Sequence, residues 1–254
     1  MGKELAILRK TLLRVGLASV PMVFTVPGVA QTGGGRPSTP STRPAVAGVK
    51  RETPPDLRGV YQLAPSSATL PGALKSTGSP EDISLQPSAV ATQKTRNPEE
   101  DGAKNCEPIG PFRMMAWVGN RIELLPSPGR ITMLFENIAL GYMRTVYLDR
   151  PRQANLAPLT VGDSIGNWDG DTLVVDTTNF NDYTWLNGAG APHSDALHLI
   201  EKYRLVVGGE YLEVKVTAED SKVLAKPYTY TRYYEKVNTE IQEDFCTDDL
   251  MRTD

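Results

Sequence analysis

From Cys106 onward the chain is punctuated at short, regular intervals, and this rhythm restricts its fold more than any other feature. Apolar runs, none longer than eleven residues, stand between turn residues: Met114 to Val118, Arg121 to Leu125, Ile131 to Glu136, Gly141 to Leu148, Leu173 to Thr178, Ala196 to Val206, Tyr211 to Thr217, Tyr228 to Val237 and Ile241 to Cys246. They are rich in β-branched and aromatic side chains, which suit strands. No amphipathic helical window of comparable strength interrupts them. Connections such as Pro-Gly, Asp-Gly-Asp and Gly-Gly-Glu turn each run back on the one before, so the expectation is an all-β antiparallel meander. A sheet of that many strands closes, or nearly closes, on itself or splits into layers.

Alternation within the runs supports a curled sheet with a lined interior. Leu212, Val214 and Val216 share one face of their run, while Tyr211, Glu213, Lys215 and Thr217 share the other. Leu197, Leu199, Glu201, Tyr203 and Leu205 form a mostly apolar face with a carboxylate in its middle. Tyrosines at 228, 230, 233 and 234 occupy both faces of the Tyr228 to Val237 run around Arg232, which suits a cavity that is apolar in bulk and polar at its rim.

The first hundred residues read differently. Lys3, Arg9, Lys10 and Arg14 precede an apolar stretch from Val15 to Ala30 that ends in small residues, the pattern of a secretory signal peptide over 1–30. Export to the periplasm or the medium is therefore expected, with no stable membrane insertion after cleavage. Residues 31–105 are Pro-, Ser- and Thr-rich. The part up to about Glu52 has too little apolar surface to offset its ordering entropy and reads as a disordered tether; the remainder reads as a wrapping arm, with Leu57, Val60 and Tyr61 able to begin a strand. The barrel domain is expected over 106–250. A net charge of −3 on 254 residues argues against a nucleic-acid partner, which needs a concentrated basic face. In an oxidising compartment the only two cysteines, Cys106 and Cys246, are expected to form a disulfide.

Chemistry concentrates between Gly162 and Glu201, which hold both histidines and two of the three tryptophans, Trp168 and Trp185. The segments Ser164-Ile-Gly-x-Trp-Asp-Gly-Asp-Thr-Leu-Val-Val-Asp-Thr, Phe180-Asn-Asp, Pro192-His-Ser-Asp-Ala-Leu-His and Ile200-Glu-x-Tyr resemble a family of exported, mostly uncharacterised proteins of soil and environmental bacteria. The likeness extends to Arg144-Thr-Val-Tyr-Leu-Asp149, the Thr217-x-Glu-Asp turn, and Glu243 with Cys246, and spans about Cys106 to Thr247. It implies a lipocalin-like barrel of the calycin type and no particular reaction. Similar chains carry histidine where this one has Asp163, so a role that needs an imidazole there does not transfer.

Residue by residue, His193 lies in a polar connection, two positions from Asp195, which is near enough to orient its ring for general acid or base work. Asp182 is a second loop-borne carboxylate. Glu201 either keeps its proton and serves as an acid or pairs with Arg144, Arg204 or Arg232 as scaffolding. His193, Asp195, Asp182 and Glu201 are thus the expected catalytic set, and Trp185, Tyr183, His198, Tyr203, Tyr230 and Arg144 the expected substrate contacts. Asp169-Gly-Asp171 reads as a tight turn rather than a calcium loop, since the closing glutamate of such a loop is missing. Gly162-Asp-Ser-Ile-Gly166 has the letters of a serine nucleophile elbow without its strand-to-helix context. His193 and His198 point to opposite faces, so no metal or other cofactor is expected. Two functions follow. One is an exported enzyme that moves protons in an elimination, isomerisation or hydration of a small cyclic or aromatic molecule. The other is a non-catalytic lipocalin-like protein that binds a small hydrophobic ligand.

Overall fold

The computed structural model describes residues 53–117, 119, 121–136 and 143–242. The signal segment, the tether up to residue 52 and Cys246 lie outside these residues.

Among the described residues nine strands close into one barrel in chain order. They are β1 (Gly59–Leu63), β2 (Arg121–Ser127), β3 (Arg130–Phe135), β4 (Met143–Leu148), β5 (Asp163–Asp169), β6 (Thr172–Thr178), β7 (His198–Val206), β8 (Tyr211–Glu219) and β9 (Tyr228–Val237). Closure comes from β1, which pairs antiparallel with both β2 and β9 and sets Val60 opposite Val237. The barrel thus takes its first strand from well before Cys106.

Two runs behave differently from the sequence expectation. Met114 to Trp117, the described part of one run, is not a strand: a short helix, α2 (Pro111–Met114), occupies its start. Conversely, β5 was not among the apolar runs, because Asp163-Ser-Ile-Gly-Asn-Trp-Asp169 has few β-formers, yet it pairs with all of β6. Its other neighbour breaks the meander. β4 and β5 run parallel, with Val146 opposite Ser164 and Leu148 opposite Gly166, so residues 149–162 must travel back along the outside of the barrel. Arginines fasten this strap. Arg150 donates to Asp163 at 3.0 Å, and Arg152 donates to the Asp163 carbonyl at 2.6 Å and to the Asp176 carboxylate.

The interior is filled rather than hollow. Leu124, Met133, Val146, Leu173, Val175, Leu199, Tyr203, Leu212 and Val214 all point inward and are 0% exposed, so none of them touches a water-sized void. Gly166 shows how tight the fit is: an added Cβ would lie 2.8 Å from Val146 Cγ1 and 2.9 Å from Leu148 Cδ2. Gly166→Ala is therefore expected to destabilise by about 1–3 kcal/mol through overpacking, read as a lower denaturant midpoint at unchanged slope.

One mouth of the barrel is stoppered by α2. Phe112, Met114 and Met115 are all 2% exposed or less. A short helix leaves late carbonyls without intrahelical partners, and β9 supplies the missing donors. Tyr230 donates its hydroxyl to the Phe112 carbonyl, and Tyr234 donates to that of Met115 at 2.9 Å. The Phe112 and Tyr230 rings meet edge-on, 5.3 Å between centroids. The arm before α2 lies along β9 and the β8–β9 turn, through Ala64 to Tyr233, Thr77 to Thr231 and Leu85 to Leu224, and carries helix α1 (Pro87–Thr95). No helix of the described residues is long and apolar enough to cross a membrane.

The expected Cys106–Cys246 disulfide lies partly outside the described residues, since Cys246 is not among them. A bridge needs two sulfurs about 2.05 Å apart, and only Cys106 is among the described residues, so no disulfide joins two of them.

Candidate functional site

The β6–β7 connection, residues 179–197, folds over the same mouth as α2 and carries most of the residues singled out above. Its shape is set by side chains that satisfy its own amides. Asn187, buried, accepts from the Ala189 and Ala191 amides at 3.2 and 3.0 Å. Asp220, from the β8–β9 turn, takes the Ser194 amide at 2.7 Å and the Ser194 hydroxyl at 2.9 Å. Buried backbone polar groups need such partners, and Asp220 anchors the segment at Ser194, next to His193.

His193 is 5% exposed and lies edge-on to Phe180. Its Nδ1 is 3.2 Å from the Ser194 carbonyl and its Nε2 is 2.9 Å from the Thr184 hydroxyl. A carbonyl only accepts, so Nδ1 carries the hydrogen and Nε2 accepts from Thr184. Burial pushes the imidazole pKa below its ordinary value, against the smaller opposing pull of the Ser194 carbonyl, Asp220 and Asp182. The neutral ring is the form built into the fold. A histidine whose folded pKa lies below the unfolded one gives stability that is complete above about pH 6.5 and is lost as pH falls from there toward the folded pKa, because the unfolded chain then binds the extra proton. The unfolding free energy is expected to drop below pH 6.5 with a slope of at most about 1.4 kcal/mol per pH unit from this group. His193→Gln should flatten that slope in denaturant titrations run from pH 7.5 to 5.

Asp195 does not reach His193. It is exposed and pairs with Lys222 at 2.5 Å, which lowers its pKa. Asp182 is exposed too. Even so, His193, Asp182 and Asp195 line one open depression of about 480 Å³, with Pro158, Phe180, Asn181 and Ser194.

Glu201 is elsewhere, inside the barrel and 0% exposed. Arg144 grips it with both terminal nitrogens, Nη1 to Oε1 at 2.9 Å and Nη2 to Oε2. The same guanidinium donates to Ser164 at 3.0 Å and Thr177 at 2.6 Å, and Tyr203 donates to Glu201 at 2.7 Å. This is the scaffolding outcome for Glu201: a charge pair buried with its remaining lone pairs satisfied. Arg144, Tyr203 and Tyr230 therefore belong to the filled interior. His198 sits on the outer face, between Asp176 at 3.1 Å and Glu219 at 3.6 Å. Gly170 adopts φ +60° in the β5–β6 turn, as expected for Asp169-Gly-Asp171. Among the described residues no group of three or more His, Cys, Asp or Glu side chains could hold a metal.

The remaining expected contacts, Tyr183 and Trp185, open onto a second recess on the other side of Thr184. It measures about 210 Å³ and lies between the β6–β7 connection and the arm, lined by Arg96, Glu100, Asp101, Glu107, Pro108, Ile109, Arg113, Tyr183, Thr184 and Trp185, with Gly102. Asp101 and Arg113 close one wall as a buried bidentate pair, 2.7 Å at each oxygen. Tyr183 donates to Glu107 at 2.6 Å. Arg96 stacks its guanidinium over Trp185, 5.1 Å from the ring centroid. Its Nη1 is buried without a hydrogen-bond partner, and burial lowers its pKa despite Asp182 and Glu100 nearby. Neither Arg96 nor Thr184 nor Asp220 was singled out as a site residue from the sequence. Arg96 sits in a Pro-rich stretch that reads as an arm, and only the Thr217-x-Glu-Asp likeness touched Asp220.

No family model and no curated protein matches the chain. Solved structures similar to it include the REP1-NXSQ fatty acid transporter, at 12% identity over 72% of this chain and 98% of that one, TM-score 0.35. A single-residue mutant of that transporter matches at 13% identity over 72% and 98%, TM-score 0.32. A secreted, abundant heat soluble protein from Ramazzottius varieornatus matches at 13% identity over 50% and 78%, TM-score 0.30. Similarity of this degree assigns no ligand and no residue role.

Proposed function

We propose that the protein is an exported binding module, of the environmental-bacterial group that its 164–201 signature resembles, and that it holds a small organic molecule at the barrel mouth rather than inside the barrel. The observation that carries this reading is the recess beside Trp185. It has an aromatic and apolar wall in Trp185, Tyr183, Pro108 and Ile109, and a stacked guanidinium with one nitrogen lacking an acceptor. A few placed polar groups on an apolar wall are what small-molecule sites usually offer.

Binding is favoured over proton-transfer catalysis because the expected acid–base machinery is already engaged. Both ring nitrogens of His193 are bonded within the protein, Asp195 is bound to Lys222, and Glu201 to Arg144. The catalytic alternative rests on the open depression that His193 shares with Asp182 and Asp195.

The two readings are separated by screening small aromatic and alicyclic compounds against the full chain by thermal shift and calorimetry. Binding is expected to fall at least tenfold in Trp185→Ala and to survive in His193→Gln. A hit that is chemically converted, with turnover lost in His193→Gln, would replace the binding reading by the catalytic one. No hit across such a library would remove both.

A further inference from the structure

We infer that the β6–β7 connection is an acid-released latch: a proton taken up by His193 parts the two limbs of the connection and opens the wall of the recess beside Trp185. What this does to a molecule in the recess rests on the binding reading just given; the latch itself does not.

The latch follows from where His193 sits. Its ring braces the outgoing limb at Thr184 against the returning limb at Ser194, through the bonds at 2.9 and 3.2 Å. It is also the partition between the two hollows. On one side it borders the open depression with Asp182 and Asp195. On the other it meets Thr184, which lines the recess. Thr184 is 7% exposed and Gly110 presses on it, so close that an added Cβ there would lie 2.7 Å from the hydroxyl. The Thr184 side chain is thus held between Gly110 and His193, and a displaced imidazole leaves it without its partner.

A second proton on the ring finds no counter-charge in contact. Both bonded partners are neutral, a carbonyl and a hydroxyl. The charged groups that face the ring are Asp220 of the β8–β9 turn, Asp182 of the connection itself and Arg96 at the end of α1. Asp220 is engaged by the Ser194 amide and hydroxyl and by the Lys222 amide, and Arg96 repels an imidazolium. A charge without a partner at 5% exposure is costly. Turning outward removes that cost, because it carries the imidazolium into water beside the exposed carboxylate of Asp182.

The movement need not disturb the barrel. Both partners of His193 belong to the connection, so its limbs can part while β6 and β7 keep their register from Thr172 opposite Arg204 to Thr177 opposite Leu199. Burial holds the imidazole pKa down in the closed form, whereas an open form takes the proton near pH 6.5. The closed form is therefore fully favoured above that pH and loses ground as pH falls. From pH 7.5 to 5.0 the open population rises by at most about thirtyfold.

Hydrogen exchange read by mass spectrometry on the full chain, corrected for the pH dependence of intrinsic exchange, tests this with no ligand added. Peptides covering residues 182–195 should open about fivefold to thirtyfold more at pH 5.0 than at pH 7.5, while those of β7 and β8 hold. His193→Gln keeps a donor and an acceptor but cannot take the proton, so the difference should vanish in it. Should that variant not fold, nitrogen NMR of the wild-type ring takes its place, and the His193 protonation midpoint should coincide with that of the lost protection. Unchanged protection at pH 5.0, a loss spread equally over β7 and β8, or a protonated ring under a closed connection would each overturn the latch. None of these results bears on whether the recess binds a compound, and an empty compound screen leaves the latch standing.

Discussion

Replacing Arg144 with methionine is expected to lower the unfolding free energy by about 3–5 kcal/mol, because it leaves Glu201 charged and uncompensated inside the barrel. Among the described residues the other side chain that hydrogen-bonds that carboxylate is Tyr203, whose hydroxyl is a single neutral donor. The hydroxyls of Ser164 and Thr177 would lose their donor in the same step, though they keep each other at 3.1 Å. The double variant Arg144→Met/Glu201→Leu removes both charges at once and should recover most of the loss, since apolar replacements of a buried pair are often neutral or stabilising. Equilibrium urea unfolding of the two variants side by side makes the comparison. A loss below about 1 kcal/mol in Arg144→Met, the range of an exposed pair, would mean that water reaches Glu201.

The second large effect is expected at the stopper. Phe112→Ala should cost about 3–5 kcal/mol, the range for emptying a buried phenylalanine site, because Phe112 is 2% exposed and wedged against Tyr230. It should also raise amide exchange at the inner positions of β9, which rely on α2 to cover them. Tyr230→Phe separates the two contributions. It keeps the ring contact and removes only the hydroxyl, leaving the Phe112 carbonyl without its donor, so its cost should be about 1–3 kcal/mol. If Phe112→Ala were as mild as a surface change, α2 would be resting on the barrel and not sealing it.

The chain was legible where period and burial agree. β7 and β8 came out of the alternation because their inner faces are almost purely apolar, and the Glu201 exception fell on the inner face as the period required. β5 was invisible because it is shielded by the strap on one side and faces Gly166 and Ser164 inward, so it needs no β-branched residues to be buried. The parallel β4–β5 pair was equally invisible, since strand direction depends on where residues 149–162 go and not on the composition of either strand. At the site, loop position correctly brought His193, Asp182 and Asp195 to one depression, but partners decide roles. Lys222 and Asp220 come from the β8–β9 turn, far away in sequence, and they set what Asp195 and the His193 segment can do. Two of the tyrosines that suggested a cavity wall, Tyr230 and Tyr234, instead hold a helix, because a phenol hydroxyl serves a backbone carbonyl as well as it would a ligand.

The seam between β1 and β9 governs how the molecule must assemble. Residues 60–63 hydrogen-bond to residues 234–237, so the cylinder stays unzipped until nearly all of the described chain is available. Until that seam closes, β1 and β9 each present a bare edge, the kind that invites pairing with another chain. Contacts so distant in sequence slow the search for the native state. Premature knitting of the last stitch is ruled out by the order in which the two halves of the seam are synthesised.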